Sequence, residues 1–81
     1  MAIKAQHGRK YRRLPELLRA MRIDAGLSQR ELGRRLQQPQ SWVYNCEVRN
    51  RRVDLAEFCD WCVACRVEPV AGVKRFLAGA R

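Results

Sequence analysis

The side chains of this chain that could do chemistry fall into three sets: four thiols, one imidazole, and many amides and guanidinium groups. Cys59, Cys62 and Cys65 recur at intervals of three, with Cys46 upstream. On a helix that spacing brings the sulfurs to one face, which fits either small apolar packing or a metal or redox site. Free cysteine is among the most buried residue types. Zinc and iron–sulfur sites usually draw ligands from loops and turns rather than three from one continuous helix. Packing is therefore the expected role of Cys46, Cys59, Cys62 and Cys65, a four-thiolate metal site is the weaker alternative, and no cofactor is expected. His7, the single histidine, has no thiol or carboxylate at suggestive spacing and is expected to be solvated. There is no glycine-rich phosphate loop, metal-binding histidine pair or nucleophile elbow, so no enzyme is expected.

The third set is the informative one. Gln40, Ser41, Tyr44 and Asn45 fall on one side of a helix and offer short hydrogen-bonding groups. Around them lies a strong positive charge: 17 Lys and Arg against eight Asp and Glu in 81 residues, a net +9 and a pI near 10.5. Fourteen of the 17 are Arg, whose planar fork matches phosphates and guanine edges. Residues 1–53 hold thirteen basic and four acidic side chains, and residues 54–81 hold four of each. A polyanion should dock on the first two thirds, leaving the neutral last third for another task. No apolar run approaches a membrane span of about 18–20 residues, and no signal-peptide pattern opens the chain.

The elements that position these groups are helices. Residues 1–13 lack an apolar period and read as a flexible basic arm; residues 14–81 read as a single domain. Pro15 suits a helix's first turn, and Leu14, Leu17, Leu18, Met21 and Ala25 form an amphipathic stripe that Gly26 should stop. Ser28 and Glu31 make a capping box for a second helix, about 28–36, with Leu32 and Leu36 buried. Pro39 sets up a third, about 40–48, with Val43 and Cys46 inward. In the polar loop that follows, Asn50 is the residue suited to a left-handed conformation. Asp54 and Glu57 form a second capping box for a helix over about 54–66, whose apolar face collects Leu55, Phe58, Cys59, Cys62 and Cys65. A fifth helix, about 69–78, carries Val70, Val73, Phe76 and Leu77. The expected fold is all-α.

Two short helices joined by a tight turn, the second presenting short polar side chains, describe a helix-turn-helix. The span from Leu17 to Pro69 resembles the Cro and lambda-repressor-like (XRE) family. It does so through Ala25-Gly26-Leu27-Ser28-Gln29, Glu31-Leu32, Pro39-Gln40-Ser41-Trp42-Val43, Glu47, Arg51-Arg52-Val53-Asp54 and Val67-Glu68-Pro69. The resemblance implies a five-helix regulator of double-stranded DNA, by default a repressor, cytoplasmic, prokaryotic or phage-encoded and nucleoid-associated. It implies that the third helix enters the major groove with Gln40, Ser41, Tyr44 and Asn45 toward the bases. Gln29, Arg30, Trp42, Arg49, Arg51 and Arg52 would meet the sugar-phosphate backbone, with Lys10, Arg12 and Arg13 from the arm. Trp42 and Tyr44 are equally compatible with partial packing in the domain. It further implies a structural pairing of Arg22 with Glu47.

Two departures stand out. Arg49 occupies the place where relatives usually have glycine, so the third helix should end differently or one residue later. Cysteines replace the leucine or isoleucine often found in helices three and four. One reading helix touches too few base pairs for strong specificity, so a homodimer on a two-fold symmetric site is expected, with Val70, Val73, Phe76 and Leu77 as its interface. A general nucleic-acid-binding module and an antitoxin-like adaptor with a protein partner are the alternatives.

Overall fold

The computed structural model describes the backbone over residues 9–79 and the side chains over 11–79. Five helices follow one another: α1 Arg9–Asp24, α2 Gln29–Leu36, α3 Gln40–Glu47, α4 Leu55–Ala64 and α5 Pro69–Gly79. The described residues contain no strand, as the all-α expectation required. No helix among them is long and apolar enough to cross a membrane.

The beginnings of α2 to α5 follow the sequence closely. Ser28 Oγ accepts from Glu31 N at 3.0 Å while Glu31 Oε1 accepts from Ser28 N at 2.8 Å. Asp54 and Glu57 repeat the arrangement at α4 with 2.8 and 3.0 Å. Glu68 accepts from Ala71 N at 3.0 Å, closing the first turn of α5. Three helix ends share a different device, whose five-back backbone bond also recurs after α3 at Arg49. Gly26, Gln37 and Arg66 have φ of 73°, 57° and 61°. At each, the next residue's N–H reaches five positions back: Leu27 to Arg22, Gln38 to Gly33, Val67 to Cys62. This is the Schellman ending, which satisfies carbonyls the helix leaves orphaned.

Four expectations are corrected. The arm was expected to run through residue 13, yet α1 begins at Arg9, so only residues 1–8 of it lie outside the described part. Pro15 is an interior residue of α1, not a first-turn one. Its missing N–H withholds a single bond from the Tyr11 carbonyl, a loss the rest of the helix absorbs. After α3 the left-handed residue is Arg49, at φ 69°, not Asn50; the turn falls where a glycine would serve, and Asn50 N instead bonds Asn45 O at 3.0 Å. Finally, Leu55 is 71% exposed and Cys59 only half-buried. The inward face of α4 is Phe58, Trp61 and Cys62, continued by Cys65.

The core gathers Leu18 and Met21 from α1, Leu32 from α2, and Val43 and Cys46 from α3 around that face. Trp61 is its largest fully buried side chain, and its indole N–H donates to Leu18 O at 3.0 Å, so the one polar atom of the ring is satisfied. The α2–α3 turn closes on Gly33, where an added Cβ would lie 2.6 Å from Gln38 O. Only a residue without a side chain lets the two helices come this near without displacing backbone.

Candidate nucleic-acid interface

With Val43 and Cys46 at 0% and 1% exposure, the orientation of α3 is fixed, and the opposite side follows from the helical period. Gln40, Ser41 and Tyr44 are exposed and Asn45 is half-buried, its Oδ1 accepting from Asn50 Nδ2 at 3.3 Å. The four side chains expected to face outward are thus presented together.

Beneath them runs a chain of polar contacts. Arg22 of α1 donates from Nε to Glu47 Oε2 at 2.6 Å and from Nη2 to Oε1 at 3.0 Å. Its third nitrogen, Nη1, donates to Leu27 O at 2.9 Å. The pairing implied by the family resemblance is therefore made, with the Glu47 side chain 2% exposed. Gln29, expected at a phosphate, has its amide nitrogen on Glu47 Oε1 at 3.0 Å, while its oxygen accepts from Gln40 Nε2 at 2.6 Å. Sequence reasoning missed these two links. The signal was present in kind, since Gln29 and Gln40 open consecutive helices joined by a tight turn.

The arginines separate into distinct environments. Arg51 grips Glu57 with two bonds of 2.9 Å, and its guanidinium lies 4.8 Å over the Trp42 ring. Trp42 is half-buried, 6.2 Å from Trp61 between centroids, so its packing role is real. The bonds from Arg51, and after them the backbone N–H of Asp54, hold the Glu57 carboxyl below its ordinary range. Arg52 sits 5.7 Å over Tyr11, a cation–π contact that ties the loop after α3 to the start of α1. Arg30 and Arg49 are exposed. Arg12 and Arg49 line a cleft of about 360 Å³ with Glu16 and Glu47. Arg13 lies against the other end of the molecule, its Nη1 3.6 Å from where a Cβ on Gly79 would be. The Lys10 side chain and His7 lie outside the described residues.

Cys46, Cys62 and Cys65 are buried and free, and burial pushes all three thiols up to about 11. Such thiols are inert at neutral pH. No three His, Cys, Asp or Glu side chains among the described residues are arranged to hold a metal ion. Gly72 packs on this face; a Cβ there would be 2.7 Å from Cys62 Sγ. Beside it, Leu14, Val53, Leu55, Phe58, Val73 and Phe76 line an apolar groove of about 310 Å³. Val70 and Leu77 of α5 remain 59% and 54% exposed, outside the core.

A family model described as "Helix-turn-helix domain" matches residues 13–76. The solved structure of an "XRE-family like protein" from Pseudomonas syringae pv. tomato str. DC3000 is 38% identical. The match covers 89% of this chain and 88% of that one, with a TM-score of 0.80. No match is found among curated proteins. A helix-turn-helix built by Gly33 and the Gln37 turn, a polar outward face on α3 and these two likenesses converge: the chain belongs to the XRE family of helix-turn-helix DNA-binding regulators.

Proposed function

We propose that this protein is a sequence-specific transcriptional regulator, by default a repressor, that occupies the major groove of an operator with α3. The observation carrying the proposal is the division of α3 into a fully buried side and an outward side of amide, hydroxyl and phenol groups. Amides of Gln40 and Asn45 suit adenine edges, with Ser41 and Tyr44 beside them, and each good bidentate pair contributes about 1–3 kcal/mol of discrimination. Exposed Arg30 and Arg49, with Arg12 at the neighbouring cleft, supply sequence-independent attraction to phosphates. Arg51 and Arg52 combine this with anchoring the loop to Glu57 and Tyr11. The protein acts as a two-fold dimer through α5, at the chromosome, in the cytoplasm.

Selection of binding sites from random duplex DNA tests the reading. The expected result is a symmetric consensus. Gln40→Ala relaxes preference at one base pair in each half-site, whereas Arg30→Ala weakens every duplex alike and lowers the salt slope by about 1. Equal effects of both substitutions on all duplexes overturn the assignment. A second reading, an adaptor that pairs DNA binding with a protein partner in an antitoxin-like manner, is favoured by the apolar groove between α4 and α5. A strict monomer that co-purifies with a second protein on that groove would select it.

A further inference from the structure

The polar chain beneath α3 has a direction. A carboxylate has acceptors only, and both oxygens of Glu47 already take bonds from Arg22. The group that Gln29 turns toward Glu47 Oε1, at 3.0 Å, must therefore be its NH2. Reversing the amide would set a carbonyl oxygen against a carboxylate oxygen with no proton between them, an unpaired and repulsive contact in a site where Glu47 is nearly inaccessible. With its nitrogen inward, Gln29 necessarily offers its oxygen to the next residue, and Gln40 Nε2 donates to it at 2.6 Å. Gln40 thus commits one amide hydrogen inward. What remains for an outside partner is its carbonyl oxygen and its second N–H, an acceptor beside a donor.

That pattern complements adenine, whose major-groove edge presents the N6 amino donor beside the N7 acceptor; guanine presents two acceptors, O6 and N7. We infer that Glu47 is a positioning residue for base selection: with Arg22 it fixes the polarity of Gln29, and through Gln29 that of Gln40, so that Gln40 selects adenine. The same chain gives the Arg22–Glu47 pair a role beyond joining α1 to α3. The inference rests on the proposal that α3 reads the major groove.

Two variants test it. In Glu47→Gln, residue 47 carries both a donor and an acceptor, so either orientation of Gln29 finds a partner and the polarity of Gln40 is no longer imposed. Gln29→Met leaves the Arg22–Glu47 pair in place and cuts the link to Gln40, which keeps the test open if the first variant fails to fold. The readout is a ratio: affinity for the selected duplex against duplexes changed only at the base pair that Gln40→Ala identifies. The native protein is expected to prefer adenine there by about tenfold or more, and both variants to fall to within about threefold while remaining folded by circular dichroism. A purely structural role for Glu47 and Gln29 lowers affinity for all duplexes equally and leaves the ratio intact, which overturns the inference, as does a base other than adenine at that position. A native protein that binds every duplex alike overturns the proposed function itself, and the inference with it.

Discussion

Burial of a titratable group is a statement about stability as well as reactivity. Cys46, Cys62 and Cys65 are held as neutral thiols up to about 11, against an ordinary value of 9.0. Unfolding exposes them to water, where they ionise near 9.0. A group raised in the folded state contributes stability that is fully present below the unfolded value and is lost as pH rises through the folded one. Between pH 9 and 11 the domain should therefore lose stability, with up to three protons released on unfolding. Denaturant titrations under reducing conditions across that range give the slope; Cys46→Ala should make it shallower, and an unchanged slope rejects the burial argument. At this scale the sequence was readable where a residue's role follows from its own face. Cys62 and Cys65 lie on the inward side of α4 and its C-cap, and Val43 with Cys46 marks the inner side of α3. The placement of Gln29 was not readable in this way, because an amide's direction depends on a carboxylate eighteen residues away that only the folded chain brings to 3.0 Å.

Helix ends are the next scale, and there the chain contains an unoptimised position. Gly26 and Arg66 terminate their helices with φ of 73° and 61° and the same pair of reverse bonds. An L side chain in the left-handed region costs about 1–2 kcal/mol, part of which glycine returns through its looser unfolded state. Because Arg66 is exposed, replacing it sacrifices little packing. Arg66→Gly is expected to stabilise the domain by about 0.5–1 kcal/mol. At about 4–8 °C per kcal/mol for a chain of this size, that raises the melting temperature by several degrees in a calorimetric scan. A fall in melting temperature rejects the idea. The capping boxes explain why the starts of α2 and α4 were legible: both partners are local, three residues apart. The start of α1 was not, because Arg9–Arg13 carries no apolar period. What favours its helix is tertiary, including the packing of half-buried Tyr11 beneath Arg52. On α4, whose sequence is apolar nearly all round, periodicity alone could not choose between the Leu55 and Trp61 faces; the fit against Leu18 chose.

At the scale of the whole molecule, the length of α3 sets what one copy can read. Eight residues at about 1.5 Å each span about 12 Å, or between three and four base pairs at 3.4 Å per pair. That is too short to single out one operator among the sites of a genome. In the proposed dimer a second copy doubles the reading length, with α5 as the joining surface. Val70 and Leu77 are more than half exposed on a helix that otherwise packs inward through Gly72. Because these side chains already face water, Val70→Glu with Leu77→Glu should leave the melting of the isolated domain nearly unchanged, surface substitutions usually falling within about 0.5 kcal/mol. In a two-fold dimer the same substitutions set like charges against one another across the axis. Light scattering should then report dimer for the native protein and monomer for the variant. Binding to a two-half-site duplex should lose its cooperativity, and the steepness of its salt dependence should fall by about half, since slope counts the phosphates neutralised together. A variant that still dimerises, or a native protein that remains monomeric both free and on operator DNA, removes α5 from the interface and leaves the apolar groove beside Phe58 to a different protein.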